Sequence, residues 1–492
     1  MRAATEPRRV AIPAFAQDPT DTMIPSRISR PLGALALALA LTGTLSFTNS
    51  AGAQGMFDGP VGQVQIEGVK TSYVKLSGGS PGVLYEPLNP GPKAAIALFV
   101  MHASGDYLTF SACGELSKRG YRVLCANNSS SKSGTFDDGI MDRVLLEMKA
   151  GVGFLKSYPG VSKVVLFGHS GGATLMTAYQ MIAEGGVTAC QGGQMIHKCP
   201  STLAGLPKAD GVVLADANWG QAEMTLLSVD PAVVSDDDGM KLNPALDMYN
   251  PANGYDPKGS HYSEAFRRKF LAAEGARNNA LIDRAQARLA LIEAGKGHYT
   301  DDEPFIVAGA SFIGNRLFSE DNALLARSRK AWPLVHADGA ITTEIIHSER
   351  VPEGRGDPTR TMGMGALKTT VRNFLSSYAV RAGQDFDYDA SGIRGVEWRS
   401  TYASPPGNVE GISVPLLALG MTGHWEGLAA ETIYEHAASK DKAIAFIEGA
   451  THVYTPCDKC IKPAGAYGDT VKLTYDYVDN WISKAGRFAN TN

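Results

Sequence analysis

At 492 residues, with 44% hydrophobic and 20% charged side chains, the chain is long enough to bury one large core or two modest ones. A formal charge of −4 and the absence of any long basic run exclude a nucleic-acid partner from the expected roles. Near the N-terminus, Arg27 and Arg30 precede an apolar stretch from Leu32 to Leu41, and small residues ending Ala51-Gly52-Ala53 follow. This is the pattern of a secretory signal with Met23 as the expected true start and cleavage ahead of Gln54. The apolar run is shorter than the roughly 20 residues a membrane span needs, so no stable membrane insertion is expected after cleavage. Residues 1–53 are therefore set apart from the fold, and the expected location is secreted or periplasmic.

Short β-type segments at Val61–Ile66, Tyr73–Leu76 and Val83–Tyr85 are separated by Gly, Pro and Ser, as edge strands are. Continuous apolar runs then alternate with helix-compatible stretches. Strands are predicted at 95–101, 121–126, 164–167 and 211–217, and helices at 108–118, 141–156 and 173–183. Buried apolar strands alternating with helices predict a parallel sheet covered on both faces. From 218 to 405 the alternation breaks into polar loops with helical stretches near 261–273, 278–294 and 365–381. Strands return at 414–419 and 443–447, with helices near 429–438 and 470–484. One sheet domain, 54–217 and 406–492, interrupted by a large insertion, is the expected organisation.

Six cysteines follow the signal region. In an oxidising compartment they read as disulfides, with Cys190/Cys199 and Cys457/Cys460 the preferred bridges and Cys113/Cys125 left over. Cys457-x-x-Cys460 also matches a redox motif, but no thioredoxin-like βαβ context surrounds it, and a zinc site would want a second knuckle.

The chemistry centres on Gly168-His169-Ser170-Gly171-Gly172, where an apolar strand turns sharply into a helix. Such a turn exposes a serine hydroxyl at a strand tip beside helix N-terminal amides, which makes Ser170 the expected nucleophile. Gly78-Gly79-Ser80-Pro81-Gly82 matches the same five-residue pattern. It has no buried strand before it, and Pro81 removes the amide an oxyanion hole would use. A serine nucleophile needs a base and an acid to orient that base. His169 adjoins Ser170 and should point away from it, packing beside the turn. His452, which closes a short turn after the 443–447 strand, is the expected base. Chain order Ser…acid…His calls for a carboxylate after the 414–419 strand, so Glu426 is the expected acid, with Glu431 the runner-up and Asp216 third. Gly171 and the loop residues Ala103 and Ser104 are the expected oxyanion-hole amides, with His102 orienting that loop.

With these residues in view, the chain resembles a secreted α/β-hydrolase of the esterase/lipase type. The resemblance rests on Gly168–Gly172, on the His102-Ala103-Ser104-Gly105 loop and on the Gly449–His452 turn. It implies an α/β fold with a mostly parallel eight-stranded sheet, helices on both faces and 218–405 as a cap insertion. It also implies hydrolysis of an acyl compound, without metal or other cofactor. A carboxylic ester, small or polymeric, is the expected substrate. An amide or peptide bond, or a C–C bond beside a ketone, is the alternative for the same triad, and a non-catalytic binding module or a Cys457/Cys460 redox protein a further one. Trp219, Tyr249, Tyr255, Phe305, Phe312 and Trp332 could line a pocket or form cap core, while His261, His298, His336 and His347 are too scattered for a metal site.

Overall fold

The structure, a computed structural model of the chain, describes residues 65–130, 137–311, 314–354, 356–357 and 359–488. The signal region, the start at Gln54, most of the first expected strand and Phe312 lie outside the described residues. Among the described residues, ten strands form the main sheet. In chain order they are β1 (Val69–Lys75), β2 (Pro81–Pro87), β3 (Ile96–Met101), β4 (Arg122–Ala126), β5 (Lys163–His169), β6 (Gly211–Ala215), β7 (Arg327–Val335), β8 (Ile341–His347), β9 (Leu416–Met421) and β10 (Lys442–Ile447). Their order across the sheet is β1-β2-β4-β3-β5-β6-β9-β10-β7-β8. From β4 to β7 every neighbouring pair is parallel, and the two ends are antiparallel hairpins.

The apolar runs are continuous because both faces are covered. In β3, Ala97, Phe99 and Met101 pack on one face with α2 (Met141–Ser157) and α3 (Gly172–Gly185). Ile96, Leu98 and Val100 pack on the other with α1 (Ser111–Lys118) and α6 (Thr470–Ile482). Period-two alternation between two apolar layers leaves no polar position to betray the strand's faces. The fold is the expected α/β-hydrolase architecture.

Two features correct the expectation. The sheet has ten strands rather than eight, and the additional pair comes from inside the segment expected to be wholly insertion. Leu334 and Val335 of β7 pair with Phe446 and Ile447 of β10, and β8 closes the edge. Arg327, Arg329, Lys330 and Ala331 in the first half of β7 are exposed, so this half carries charges where a core strand would be apolar. Glu431, on the helix α5 (Ala429–His436), holds the irregular start of β7: its carboxylate accepts from the amides of Arg329 and Lys330 at 2.9 and 3.0 Å and from Trp332 Nε1 at 2.8 Å. Trp332 thus belongs to the sheet edge and not to a cap pocket.

The rest of the insertion has its own core, where Phe305 packs against Phe374 beside Val229, Leu281 and Ile282. The two expected helices at 261–273 and 278–294 are one continuous helix, α4 (Glu264–Glu293), begun by the Ser263 side chain accepting from the Phe266 amide. The helix expected over 365–381 is instead a strand, Ala366–Thr370, paired antiparallel with Pro304–Ala308, followed by a helical turn through Tyr378. All six cysteines are bridged, as Cys113–Cys125, Cys190–Cys199 and Cys457–Cys460.

Gly449 opens the turn that carries His452. Its φ is +64°, and a Cβ there would stand 1.9 Å from the Tyr467 ring. Gly449→Ala is expected to destabilise the protein by about 3 kcal/mol, from backbone strain and overpacking together. Thermal unfolding of the variant measures this; a melting temperature equal to that of the parent would contradict it.

Candidate active site

The turn after β5 is built from close backbone approach. Ser170 sits at φ +52°, the left-handed region a non-glycine residue rarely occupies. A Cβ on Gly168 would lie 2.8 Å from Ala173 Cα, and one on Gly172 would lie 2.7 Å from Met101 O. Both positions therefore require glycine for strand and helix to meet at this angle. The Ser170 amide donates to Asp216 O at 3.2 Å, tying the turn to the end of β6. Ser170 itself remains partly exposed.

His452 is buried, 6% exposed, and its Nδ1 donates to Asp216 Oδ2 at 2.7 Å. Asp216, fully buried, follows the last residue of β6 at φ +47°, and its Oδ1 accepts from the Met421 amide at 3.0 Å. The carboxylate in hydrogen-bond contact with His452 is therefore Asp216. Glu426 stands back, its Oε2 3.7 Å from His452 Nδ1, and Glu431 is committed to the sheet edge. The correction has a topological cause. β5 and β6 are neighbours with His169 opposite Ala215, so the residue after Ala215 comes level with Ser170. Chain order alone favoured the strand immediately before the histidine and ranked Asp216 third.

Burial opposes a charge on His452, but the charges of Glu426 and Asp216, with Asp216's hydrogen bond, outweigh it and push its pKa up to about 9. Burial raises the Asp216 carboxyl, against the hydrogen bond from His452. Burial likewise pushes Glu426 up to about 7, with His452 opposing it.

His169 is a strut. Its Nε2 lies 2.6 Å from His452 O and its Nδ1 2.5 Å from Tyr107 Oη. A carbonyl oxygen can only accept, so Nε2 carries the proton and Nδ1 accepts from the tyrosine. Burial holds this histidine well below its ordinary pKa, and the neighbouring His452 adds to that. His169 thus fixes the backbone of the His452 turn from the serine's own turn.

The His102 loop abuts the serine turn: a Cβ on Gly171 would lie 3.3 Å from His102 Nε2 and 3.4 Å from Ala103 Cβ. His102 Nδ1 accepts from the amides of Ser104 at 3.1 Å and Gly105 at 2.6 Å. The Ser104 amide is therefore directed to His102, not to the space above Ser170, which corrects its expected role. Asn128 Nδ2 and Ser130 Oγ grip the same loop through the carbonyl of Ala103, at 3.1 and 2.7 Å.

Asp216, His424 and His452 have potential ligand atoms within 4.8 Å of one another. The 2.7 Å separation of His452 Nδ1 and Asp216 Oδ2 is that of two groups sharing a proton. Two ligands on a tetrahedral zinc stand about 3.3 Å apart. The donor set as arranged fits a hydrogen-bonded pair better than a metal.

No protein-family profile and no curated protein matches the chain. Among solved structures, a hormone-sensitive lipase from a metagenome library overlays 85% of this chain and 87% of its own, at 13% identity and TM-score 0.37. Est1E from Butyrivibrio proteoclasticus covers 84% and 97%, at 12% identity and TM-score 0.33. Esterase B from Lactobacillus rhamnosis covers 33% of this chain at 12% identity and TM-score 0.25, and this chain spans about half of it (54%). No helix among the described residues is long and apolar enough to cross a membrane.

Proposed function

We propose that the protein is an exported serine hydrolase that cleaves a carboxylic ester through an acyl-enzyme, with Ser170 as nucleophile, His452 as base and Asp216 as the acid that orients it. The observation that carries this reading is the 2.7 Å Asp216–His452 pair, whose aspartate accepts the amide of a serine held at positive φ on a strand-to-helix turn. With Nδ1–H bound to Asp216, the proton that leaves the imidazolium is the one on Nε2, and its loss puts the lone pair there, the form a general base needs.

In the proposed cycle, His452 takes the Ser170 proton as the hydroxyl attacks the ester carbonyl. The amides of Gly171 and Ala103 receive the developing oxyanion. His452 then returns the proton to the departing alcohol, and water attacks the acyl-Ser170 in a mirror of the first step. An alcohol is a better leaving group than an amine, which favours an ester over an amide. The reading of export rests on the Arg27-to-Ala53 pattern and fits three disulfides.

A fluorophosphonate probe should form one adduct with the wild-type protein, and peptide mapping should place it on Ser170. A series of 4-nitrophenyl esters of rising acyl length, with matching anilides, then separates ester from amide cleavage and sizes the acyl site. A wild-type protein that takes no adduct, or takes it on another residue, would remove Ser170 from this role. N-terminal sequencing of exported protein should begin at Gln54.

A further inference from the structure

Two carboxyl groups face one imidazole. Asp216 comes from the end of β6 and Glu426 from the turn after the adjacent strand β9, and both approach the same Nδ1 of His452, at 2.7 and 3.7 Å. Only the first is a hydrogen bond. Glu426 is 2% exposed, and its Oε2 has no hydrogen-bond partner. A buried carboxyl oxygen without a partner is costly to a fold and is not explained by stability. Other groups bear on the pair. His424, on the same turn, accepts the Glu426 amide at 3.3 Å. His169 packs against His452 from the serine turn, 4.5 Å between ring centroids, and is itself held by Tyr107. Tyr454 reaches Ala215 O, at 3.3 Å, beside Asp216. Arg316 of the insertion, over the Trp425 ring, places a positive charge near Glu426, and Arg350 acts on His424.

We propose that Glu426 is a second positioning carboxylate for His452, one that strengthens the imidazolium formed during the reaction and can take over Nδ1 when Asp216 is removed. The inference rests on the hydrolase reading above. Asp216 accepts the Nδ1 proton of His452 at 2.7 Å whether the ring is neutral or charged. Once His452 has accepted the Ser170 proton, the new charge lies between two carboxyls, and attraction by Glu426 is felt most in that state. A charge interaction at this distance needs no hydrogen bond. Closing the gap to one asks for a shift of about 1 Å, which loss of the Asp216 side chain would make room for.

The sign of the effect is fixed. An ionised Glu426 favours protonated His452, so removing its charge must lower the pKa of His452. The proton that must leave before the histidine can act as a base then leaves at lower pH. Glu426→Gln is therefore expected to move the imidazole titration of His452, followed by nuclear magnetic resonance, down by about one pH unit. The acid limb of kcat/KM should move in the same direction. A purely structural role would lower activity without moving either curve.

The second arm compares Asp216→Ala with Asp216→Ala/Glu426→Gln on a 4-nitrophenyl ester. The single variant should retain at least about tenfold more kcat/KM than the double, because Glu426 can still orient Nδ1–H. An unmoved His452 titration in Glu426→Gln, or equal activity of the single and double variants, would overturn the proposal. If Asp216→Ala does not fold, the Glu426→Gln titration decides alone. That titration reads the histidine without any substrate, so a protein without esterase activity but with a shifted titration would separate failure of the hydrolase reading from failure of this one.

Discussion

Ser170→Ala is expected to lower kcat on a short-chain 4-nitrophenyl ester by about 10⁵- to 10⁶-fold, the scale on which loss of a serine nucleophile is felt when base and acid remain in place. The substitution removes one oxygen atom and leaves the turn's anchors alone. The hydrogen bond from residue 170 to Asp216 O is made by the main chain, and the contacts that demand glycine at 168 and 172 do not involve the serine side chain. Alanine at φ +52° adds a strain of at most about 1 kcal/mol over serine. The melting temperature should therefore stay close to the parent's while turnover collapses. Steady-state hydrolysis, with the melting curve as the control, measures both. A variant that keeps a tenth of the parent's kcat would show that the reaction does not run through this hydroxyl.

Asp216→Asn should cost about 10⁴-fold in kcat, for a reason of proton placement rather than charge alone. The asparagine carbonyl can still accept from the Met421 amide, as Asp216 Oδ1 does now. Its NH₂ then faces His452 Nδ1 and can only donate, so the imidazole must carry its proton on Nε2, where the base needs a lone pair. The protein would fold with its histidine in the wrong tautomer. Measured kcat within tenfold of the parent would remove Asp216 from the orienting role. Glu431→Gln supplies the contrast: its partners are Arg329, Lys330 and Trp332, so kcat should be unchanged while the sheet edge loosens.

The two faces of the sheet were legible in the sequence because each buried strand is a short apolar run closed by a turn. Strands β3 to β6, β9 and β10 and helices α1 to α3, α5 and α6 lie within a few residues of their predicted places. The places of Ser170 and His452 at strand ends were legible for the same reason: Ser170 follows such a run directly, and His452 closes the short turn after one. What failed was information that only pairing supplies. Asp216 was visible as a strand-end carboxylate, but nothing local says that β6 lies beside β5 and so beside Ser170. Ser104 is a loop amide like its neighbours until His102 folds back to accept it. Strands β7 and β8 were missed because their exposed edge needs charge, and charge erases the apolar alternation that marks a strand.

The edge hairpin has a consequence for how the chain reaches its native state. β6 ends at Ala215, yet its partner β9 begins at Leu416, and β7 waits for β10 at Lys442–Ile447. During synthesis the first half of the sheet keeps an open, hydrogen-bond-hungry edge for about two hundred residues, and the β7–β8 hairpin keeps one for about ninety-five. They are joined only by the last two strands to emerge. Pairings so distant in sequence form slowly, and their exposed edges invite association with other chains meanwhile. The sheet is closed from its C-terminal end, like a vault by its final stones. A chain stopped before Leu416 should accumulate as aggregate, even though it carries the complete serine turn.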